Sequence, residues 1–573
     1  MKYSEILAEN KRLEGEVDGN DFKISILSNI IANQLKEVVE FSLRSEGMNA
    51  VVEFGNYDNI VQDSALKTDS KITVIFWELA NLTDGLEYRA PIMDHTGIEN
   101  LMQKLKGEIQ LCLNNLKNQS LVVFNLFSSM HFNALLVEEN NFDLLAEQLN
   151  DFVRNNCPSN VRFVNPDKIL IQTGLNNSID LRNYYSLKAL YTVDFFRNYA
   201  NHIKHLILPF SGKVNKALIF DCDNTLWQGI LGEDGFDGIE MSGKSAKGKP
   251  FEAVQFMGAK LASEGVLLGL CSKNNFDDVE EVLVKHNDQV IKNEHITIKK
   301  VNWSDKARNL RDMAKILNIG LDSFIFIDDS EFELGLIKHE LPMIKTLQVN
   351  SKNYRYPSEF AEIINSFYKH SRTSEDKEKV KMYKDQALRE SSRAAFVDIS
   401  DYLNSLEIEI EIIKNEAEHI ARMAQMTQKT NQFNLTTKRY SESDIREFVK
   451  ADSTNIYALS VRDKYGDSGI TGLAIVKQLD NKSVIDTFLL SCRVIGRGIE
   501  DEFMSRIVAD ISTEDIEASY IETKKNSQVA TLYERYGFSL QKSDVGRKEY
   551  LLKKDQFLKL ETKHIKVLHG REA

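Results

Sequence analysis

Asp221 and Asp223 follow a four-residue apolar run, 217–220, at the point where the chain becomes polar. A run of that kind is typical of a strand buried on both faces of a parallel sheet. In open parallel sheets, ligands bind beyond the carboxyl ends of the strands. Carboxylates there can bind a hard cation, and one of them can attack phosphorus. Taken alone, the Asp-x-Asp-x-Thr motif that ends at Thr225 is equally well explained as a solvated turn.

Further groups with suitable chemistry occur in order after this acid pair. Two later apolar runs end in Ser272 and in the pair Asp328 and Asp329, and between them Lys306 opens a segment with a helical pattern. An acid pair, a hydroxyl, a lysine and a second acid pair are what a magnesium-dependent phosphoryl-transfer site requires. This order resembles the haloacid-dehalogenase-like (HAD) superfamily of aspartate-nucleophile phosphatases, over about residues 216–349.

The charges suggest a role for each group. Mg²⁺, bound by Asp221, Asp328 and the backbone carbonyl of Asp223, would screen the repulsion between carboxylates and a phosphate ester. Asp221 would attack phosphorus and carry an aspartyl-phosphate, while Asp223 protonates the leaving oxygen and later activates water. Lys306 supplies a fixed positive charge, and Ser272 would hold the transferring phosphoryl oxygens.

Other residues of these motifs have less certain roles. Asp329 is either a ligand in the second shell of the metal or a structural acid. Cys222 and Cys271 lie within the strand ends, where small buried side chains are expected. The residues predicted to contact the phosphorylated substrate are Thr225, Lys273 and Asn274.

The composition restricts the function classes. A chain of 573 residues suggests three to four domains, and its net charge of -13 argues against nucleic-acid binding, so an anionic substrate must meet local positive charge. No segment has the apolar length of a signal peptide core or of a membrane helix. Five dispersed cysteines without a Cys-x-x-Cys motif fit a reducing compartment. A cytoplasmic protein without nucleic-acid or membrane partners is expected.

The first 207 residues alternate apolar runs with helix-like segments. The expected strands lie at 23–27, 50–54, 72–77, 121–124 and 169–172, in the rhythm of a doubly wound α/β domain. The region resembles the SGNH-hydrolase-like domain of FkbH-like proteins. Its esterase chemistry is not visible, because Ser28 follows no Gly-Asp-Ser pattern and no histidine completes an Asp-x-x-His motif. A docking or scaffolding role is expected, with Ser28 as a cap or turn residue, and a nucleophilic Ser28 is the alternative.

Three more regions follow a turn-rich linker at 208–215. The HAD-like domain is predicted over 214–370, an exposed helical connector over 371–396, and a third α/β domain over 397–573. A capping box at 373–376 is expected to begin the connector. The predicted fold class is therefore multidomain α/β, with a doubly wound domain, a Rossmann-like HAD domain and a third α/β domain.

The third region contains a strand that leads through Cys492 into an Arg-x-x-Gly-x-Gly turn and a helix. Backbone N–H groups at such a helix start can bind phosphate. With the segment 526–538, this resembles GNAT acyltransferases, which implies a site for the phosphopantetheine arm of a carrier protein. The residues predicted to bind that arm or the acyl substrate are Arg493, Gly496, Arg497, Gly498, Asn526 and Tyr533.

The combination of all three regions resembles the FkbH family across nearly the whole chain, through the HAD motifs and two segments of the third region, 428–437 and 491–498. The resemblance implies that a glyceryl group from 1,3-bisphosphoglycerate is dephosphorylated and placed on the thiol of an acyl carrier protein. Cys492 matches the motif cysteine and would accept the acyl group, with Arg493 favouring its thiolate. A buried structural cysteine is the alternative.

One departure from the family weakens the assignment of the substrate. After Asp328 and Asp329 the family continues Asn-Pro-x-Glu-Arg, whereas this chain has Ser-Glu-Phe-Glu-Leu at 330–334. Three function classes therefore stay open. They are a carrier-loading enzyme with a HAD phosphatase domain, a phosphatase for a small metabolite of polysaccharide or secondary metabolism, and a non-enzymatic scaffold of such a pathway.

Overall fold

A computed structural model describes residues 1–17, 21–66, 69–212, 214–350, 353–368, 374–393, 396–523 and 525–568. The chain forms two compact units, residues 1–211 and 212–573. The first unit contains one sheet, and the second unit contains two. Multidomain α/β architecture with parallel sheets, as the sequence predicted, is therefore confirmed.

The first unit is built on a five-stranded parallel sheet with the order β2-β1-β3-β4-β5. Its strands are β1 Phe22–Ser28, β2 Ala50–Phe54, β3 Ile72–Phe76, β4 Leu121–Asn125 and β5 Val161–Val164. Four of these lie where apolar runs predicted them, but the fifth prediction, 169–172, is wrong. That run lies in a helix that begins at Pro166 and is capped by the Asn165 side chain, since proline is favoured at the first helical position.

Helices cover both faces of this sheet, as expected for a doubly wound domain. They are α1 Tyr3–Glu16, α2 Gln34–Arg44, α3 Ile60–Ser64, α4 Leu86–Arg89, α5 His95–Asn115, α6 Met130–Asn133, α7 Asn141–Asn156, α8 Pro166–Thr173, α9 Leu175–Ser178, α10 Leu181–Leu187 and α11 Val193–Ile207. Within the described ranges of the whole chain, no helix combines the length and the apolarity needed to cross a bilayer.

A second five-stranded parallel sheet, with the order β10-β9-β6-β7-β8, opens the second unit. Its strands are β6 Ala217–Phe220, β7 Leu267–Ser272, β8 Ile296–Val301, β9 Phe324–Asp328 and β10 Lys345–Gln348. The accompanying helices are α12 Leu231–Asp234, α13 Lys249–Ser263, α14 Phe276–Lys285, α15 Lys306–Leu317, α16 Glu331–Glu340 and α17 Tyr356–Ile364.

The three inner strands of this sheet, β9, β6 and β7, are buried on both faces. In β6, Leu218 and Phe220 pack into one apolar cluster, while Ala217 and Ile219 pack into another on the opposite face. Every residue of β6, β7 and β9 is buried, which explains why these strands are continuous apolar runs in the sequence. The chain turns polar only where each strand leaves the core, so the predicted site residues share the carboxyl edge.

The third sheet has eight mainly antiparallel strands in the order β16-β17-β15-β14-β13-β12-β11-β18. These strands are β11 Ile408–Lys414, β12 Thr454–Asp463, β13 Gly466–Gln478, β14 Lys482–Leu490, β15 Asp515–Ile521, β16 Ser539–Asp544, β17 Arg547–Lys553 and β18 Ile565–Leu568. The helices of this part are α18 Ser374–Arg393, α19 Ile399–Ser405, α20 Ile420–Lys429, α21 Glu442–Lys450, α22 Ile499–Asp510 and α23 Leu532–Arg535. Among the described strands of this sheet, β14 with β15 and β11 with β18 pair in parallel, and the other neighbours pair antiparallel.

The connector is helical, but it is not simply exposed. Met382, Tyr383 and Arg389 of α18 are buried, and Arg389 donates two hydrogen bonds to Asp463 at 2.7 and 2.8 Å. The expectation of an exposed connector is therefore corrected. One of its charged side chains, Arg389, is buried in an ion pair with an aspartate that is distant in sequence. The capping box expected at 373–376 lies outside the residues whose side chains are described.

Candidate active site

Four carboxylates and one lysine meet at the carboxyl edge of the second sheet. Asp221 follows β6 directly, Asp328 is the last residue of β9, and Lys306 is the first residue of α15. The Lys306 ammonium donates to Asp221 Oδ1 at 2.9 Å and to Asp328 Oδ2 at 2.6 Å. All three side chains are buried. The N-cap Asp305, whose carboxylate accepts from the backbone N–H of Arg308, fixes the start of α15 and thereby the position of Lys306.

Burial controls the protonation of this cluster. It raises the pKa of Asp221, which Lys306 partly opposes, and burial together with the nearby Asp221 raises the pKa of Asp328 to about 6. Burial alone would lower the pKa of Lys306, but the two carboxylates outweigh it and raise that pKa above its ordinary value. One ammonium is shared between two buried carboxylates, so the cluster carries uncompensated negative charge.

Asp223 lies beside this cluster with its carboxylate held from three sides. Its Oδ1 accepts from the indole N–H of Trp227 at 2.9 Å and from the backbone N–H of Leu231 at 3.0 Å. Its Oδ2 accepts from the amide of Asn274 at 2.9 Å. Burial raises the pKa of Asp223, although these hydrogen bonds oppose the increase. Asp223 is therefore fixed in one orientation, as an acid or base aimed at a bound group must be.

The donor set fits a magnesium ion. One carboxylate oxygen from each of Asp221, Asp328 and Asp329 lies within 4.8 Å of the other two. Carboxylate oxygens are hard ligands, and a divalent cation would relieve the excess negative charge. The Asp223 carboxylate is not in this set, and both of its oxygens accept the hydrogen bonds described above. A contribution from its backbone carbonyl stays a prediction.

The neighbouring residues divide into two groups. Ser272 ends β7 in a buried position, and its hydroxyl contributes a hydrogen bond that lowers the pKa of Asp221. Asn274 is connected to the site by the hydrogen bond that its amide donates to Asp223. Thr225, in contrast, is fully buried, and its hydroxyl has no hydrogen-bond partner among the described residues, so its contact with substrate stays a prediction.

The segment 330–334, where the sequence departs from the pattern of FkbH-like proteins, starts α16. Ser330 caps this helix, and Glu333 forms an ion pair of 2.6 Å with Lys273, which was predicted to bind substrate. Leu334, which stands where the FkbH-like proteins that the sequence resembles have arginine, is buried in the apolar core. The Leu334 side chain therefore supplies no positive charge at this position.

Cys492 lies in a different place, in a short turn directly after β14. It is 7 % exposed, and its carbonyl accepts a hydrogen bond from the side chain of Asn318 at the end of α15. Lys306 begins that same helix, so Cys492 and the acid cluster lie toward opposite ends of α15. The predicted catalytic residues therefore form two separate groups, with Cys492 apart from the acid cluster.

The arginines of the Arg-x-x-Gly-x-Gly turn point into the protein. Arg497 donates to Asp463 at 3.0 Å and to Gln386 at 2.7 Å, and burial lowers its pKa to about 10. The buried Arg493 guanidinium contacts Ser491 and Met382. Gly496 and Gly498 adopt φ values of +81° and +70°. These values lie in the left-handed region, which favours glycine at both positions. The prediction that Arg497 meets the phosphate of a carrier arm is corrected, because Asp463 already binds it.

The opening between β14 and β15 is filled by the chain itself. The two strands pair in parallel only from Lys482 to Ile485 on the β14 side and then diverge. In the gap, Phe433 accepts from the N–H of Leu490 at 3.0 Å, and Leu435 donates to Phe488 at 3.2 Å and accepts from Ile521 at 2.7 Å. The backbone groups that an extended arm would need there are already paired.

Asn526 and Tyr533 are also interior residues. The Asn526 amide donates to the carbonyls of Asn434 and Ile521, both at 2.9 Å, and its oxygen accepts from the N–H of Thr523. The Tyr533 ring packs against Phe538 in the apolar core. The prediction that Asn526 contacts substrate is corrected, because its amide is already bonded within the chain. Tyr533 is buried with a hydroxyl that has no partner among the described residues, so its contact with substrate stays a prediction.

Comparison with known proteins gives a likeness of fold. No protein-family model and no curated protein matches the chain. The N-terminal part of the protein BF1531 from Bacteroides fragilis, which contains a phosphatase domain complexed with Mg, is similar over 65 % of this chain and 100 % of its own, with a TM-score of 0.55 and 21 % identity. Ribosomal-protein-S18-alanine N-acetyltransferase from Escherichia coli is similar over 27 % of this chain and 97 % of its own, with a TM-score of 0.21 and 11 % identity. The first likeness supports the fold described for that share of the chain.

Proposed function

We propose that the chain is a magnesium-dependent enzyme that transfers a phosphoryl group to Asp221. The observation that carries this proposal is the placement of four carboxylates around the single ammonium of Lys306, three of them with oxygens close enough to hold one cation. The comparison structure contains a phosphatase domain complexed with Mg, which supports the same assignment by analogy of fold.

Each residue of this site has a separate role in the proposed reaction. Asp221 attacks phosphorus, a bond from its carboxylate oxygen to phosphorus forms, and the bond to the leaving oxygen breaks. Asp223, oriented by Trp227 and Asn274, gives its proton to the leaving oxygen and then takes one from the water that hydrolyses the aspartyl-phosphate. Lys306 holds Asp221 and stabilises negative charge on the phosphoryl oxygens.

Magnesium supplies the remaining charge. When bound by Asp221, Asp328 and Asp329, the ion neutralises the repulsion between these carboxylates and the phosphate group. Ser272 ends the adjacent strand, where its hydroxyl and nearby N–H groups can bind the equatorial oxygens.

The finer part of the proposal is that an acyl group then reaches Cys492 and a carrier protein. The resemblance to FkbH-like proteins implies a phosphorylated three-carbon acyl donor similar to 1,3-bisphosphoglycerate, with an acyl carrier protein as the partner and its phosphopantetheine thiol as the final acceptor. The turn after β14 supports this proposal by placing a single cysteine beside several cations. Residues 433–435 occupy the opening between β14 and β15. The phosphopantetheine arm must therefore reach the turn by a route other than that opening.

A phosphatase for a small phosphorylated metabolite is the second candidate. It is favoured by Leu334, which replaces the family's arginine and leaves the glyceryl donor with one cation fewer. Intact-protein mass spectrometry separates the two candidates. With this protein, Mg²⁺ and 1,3-bisphosphoglycerate, holo-carrier should gain the mass of a glyceryl group and apo-carrier should not. Phosphate release without any carrier adduct would favour the second candidate.

A further inference from the structure

The loop between α6 and α7 in the first unit exposes a run of apolar side chains. Six consecutive residues, 134–139, are exposed. Leu135, Leu136 and Val137 at the tip of the loop are 92 %, 57 % and 101 % exposed. Single exposed apolar residues are common on protein surfaces, but a contiguous patch is typical of a surface that binds another protein.

Hydrogen bonds at the base of this loop fix the direction in which its tip projects. The Asn133 amide donates to the Asn140 side chain at 3.2 Å and to Asp143 at 2.8 Å, which joins the two ends of the loop. Asn140 and Asp143 also form the capping box at the start of α7. Because both ends are held by helices, the loop presents its apolar tip as a defined projection.

Two further exposed apolar side chains flank the base of the loop. Tyr88 of α4 stands edge-on to Phe132, with 6.2 Å between the ring centroids. Ile92 precedes Met93, whose carbonyl accepts from the Asn141 amide at 3.0 Å. The apolar patch is defined here as Tyr88, Ile92 and residues 134–139. It combines a projecting loop with a neighbouring apolar surface.

Both signs of charge accompany the apolar patch. Glu138 and Glu139 end the exposed run, and Arg89 ends α4, with all three side chains exposed. Asp84, near Arg89, is bonded to Lys188 at 2.9 Å. Neither Arg89 nor the two glutamates form an ion pair with another residue that the structure describes. A surface that meets its own copy about a two-fold axis must carry both partners of every contact, and this one does.

We propose that two copies of the chain associate through the apolar patch about a two-fold axis. The loop tip of each copy packs against Tyr88 and Ile92 of the other copy. Arg89 of each copy then pairs with Glu138 and Glu139 of the other. A membrane surface is a poor occupant, because anionic head groups repel the two glutamates. The patch is smaller than the roughly 20–30 residues a side of a standard interface, so the dimer should be weak.

Sedimentation equilibrium of the full chain tests this proposal between about 1 and 200 µM, where a weak dimer forms progressively. The wild-type protein should shift from monomer to dimer as its concentration rises. Val137→Glu places a charge in the apolar tip and should weaken association about tenfold or more. Val545→Glu is the matched control, because Val545 is an equally exposed valine in the turn between β16 and β17, and it should dimerise like the wild type. A wild-type protein that stays monomeric, or equal association of the two variants, would overturn the proposal.

A mixing experiment tests the predicted pairing of charges. Arg89→Glu protein and protein with both Glu138→Arg and Glu139→Arg should each stay monomeric, because like charges then meet across the two-fold axis. In an equimolar mixture both contacts of a heterodimer are between opposite charges, so dimers should form again. A mixture of folded variants that stays monomeric would contradict the pairing and the proposal with it.

Two parallel measurements identify the source of a failure. Cosedimentation of the wild-type monomer with vesicles of phosphatidylcholine and phosphatidylglycerol would assign the apolar patch to a membrane and overturn the proposal. Release of phosphate from p-nitrophenyl phosphate should be the same in the wild type and in all the variants above. The dimer does not rest on the phosphoryl-transfer site, so loss of either result leaves the other standing.

Discussion

The two five-stranded parallel sheets of this chain end in polar residues at the same kind of edge, but the two edges differ in charge balance. In the first unit, Asn29 is bonded to the backbone of Glu78, and the Glu78 carboxylate accepts from Tyr191 at 2.7 Å. Ser28 bonds to Ile30 in a turn. In the second sheet, Asp221 and Asp328 share one lysine. The second edge thus differs by gathering several carboxylates around one shared ammonium, whereas the Glu78 carboxylate at the first edge is held by a tyrosine hydroxyl, and a parallel sheet alone leads to either outcome.

The strongest test of this contrast is the loss of the attacking group. Asp221→Asn should lower the rate of phosphate release from p-nitrophenyl phosphate by about a thousandfold or more, because the amide cannot replace the carboxylate as nucleophile. The protein must be checked for deamidation. Ser28→Ala, the matched change at the edge of the first sheet, should leave this rate unchanged. A comparable loss in both variants would break the contrast.

Removal of the shared cation should also have a large effect. Lys306→Met leaves two buried carboxylates without their partner, so phosphate release should fall about a hundredfold and unfolding should require about 3 kcal/mol less. Urea unfolding with and without Mg²⁺ measures the second effect. The destabilisation should be smaller with Mg²⁺, because the ion replaces part of the missing charge. A variant as stable as the wild type in EDTA would show that the charges are not coupled.

Asp486 in the third sheet is a buried carboxylate whose charge is balanced by neighbouring cations, so its ionised form should stabilise the fold. Burial would raise its pKa, but hydrogen bonds from Lys438, Tyr440 and Lys477 outweigh burial and lower the pKa to about 2. Its contribution to stability is therefore present above the unfolded pKa of about 3.9 and is lost as the pH falls toward 2. Asp486→Asn should cost about 2 kcal/mol near neutral pH, and this difference should shrink below about pH 4.

Urea unfolding of both proteins between pH 6 and pH 3 gives this difference. Asp480→Asn is the control, because Asp480 is exposed near the start of the same strand. A difference for Asp486→Asn that grows as the pH falls would show that the carboxylate is not stabilised by these partners.

The smallest effect is expected at the edge of the first sheet. Tyr191→Phe removes a donor from the buried Glu78 carboxylate and a partner from His131, which lies 2.8 Å away, so stability should fall by about 1–2 kcal/mol. Phosphate release should not change. The exposed Tyr185 provides the control substitution, Tyr185→Phe, and thermal unfolding measures both. Lost phosphate release in Tyr191→Phe would show that this edge takes part in the reaction.

The parts of the structure that could be predicted from the sequence depend on local pattern. The strands before Asp221, Ser272 and Asp328 are continuous apolar runs, and the polar residue that follows each run necessarily reaches the sheet edge. The run at 169–172 was assigned to a strand because a short apolar run does not distinguish helix from strand, and the proline and asparagine before it were the available signal.

The inward orientation of Arg497 had no local signal. Its partners, Asp463 and Gln386, lie 34 and 111 residues away in sequence, so only the packing of α18 against the third sheet brings them together. The same is true of Lys216 and Arg422, which the sequence analysis missed as neighbours of Cys492. The resemblance of segment 526–538 to GNAT acyltransferases predicts a binding role for Asn526, but backbone groups and the Tyr520 hydroxyl already bond its amide.

The central claim is that the unmatched carboxylates at the edge of the second sheet bind Mg²⁺ and that Asp221 accepts the phosphoryl group. Its most direct test is rapid acid quenching of p-nitrophenyl phosphate turnover, followed by mass spectrometry of the peptide that contains Asp221. We expect a phosphorylated aspartate on that peptide in the presence of Mg²⁺, and none with EDTA or in Asp221→Asn. Undiminished phosphate release by the Asp221→Asn protein, or equal release with EDTA, would contradict the account.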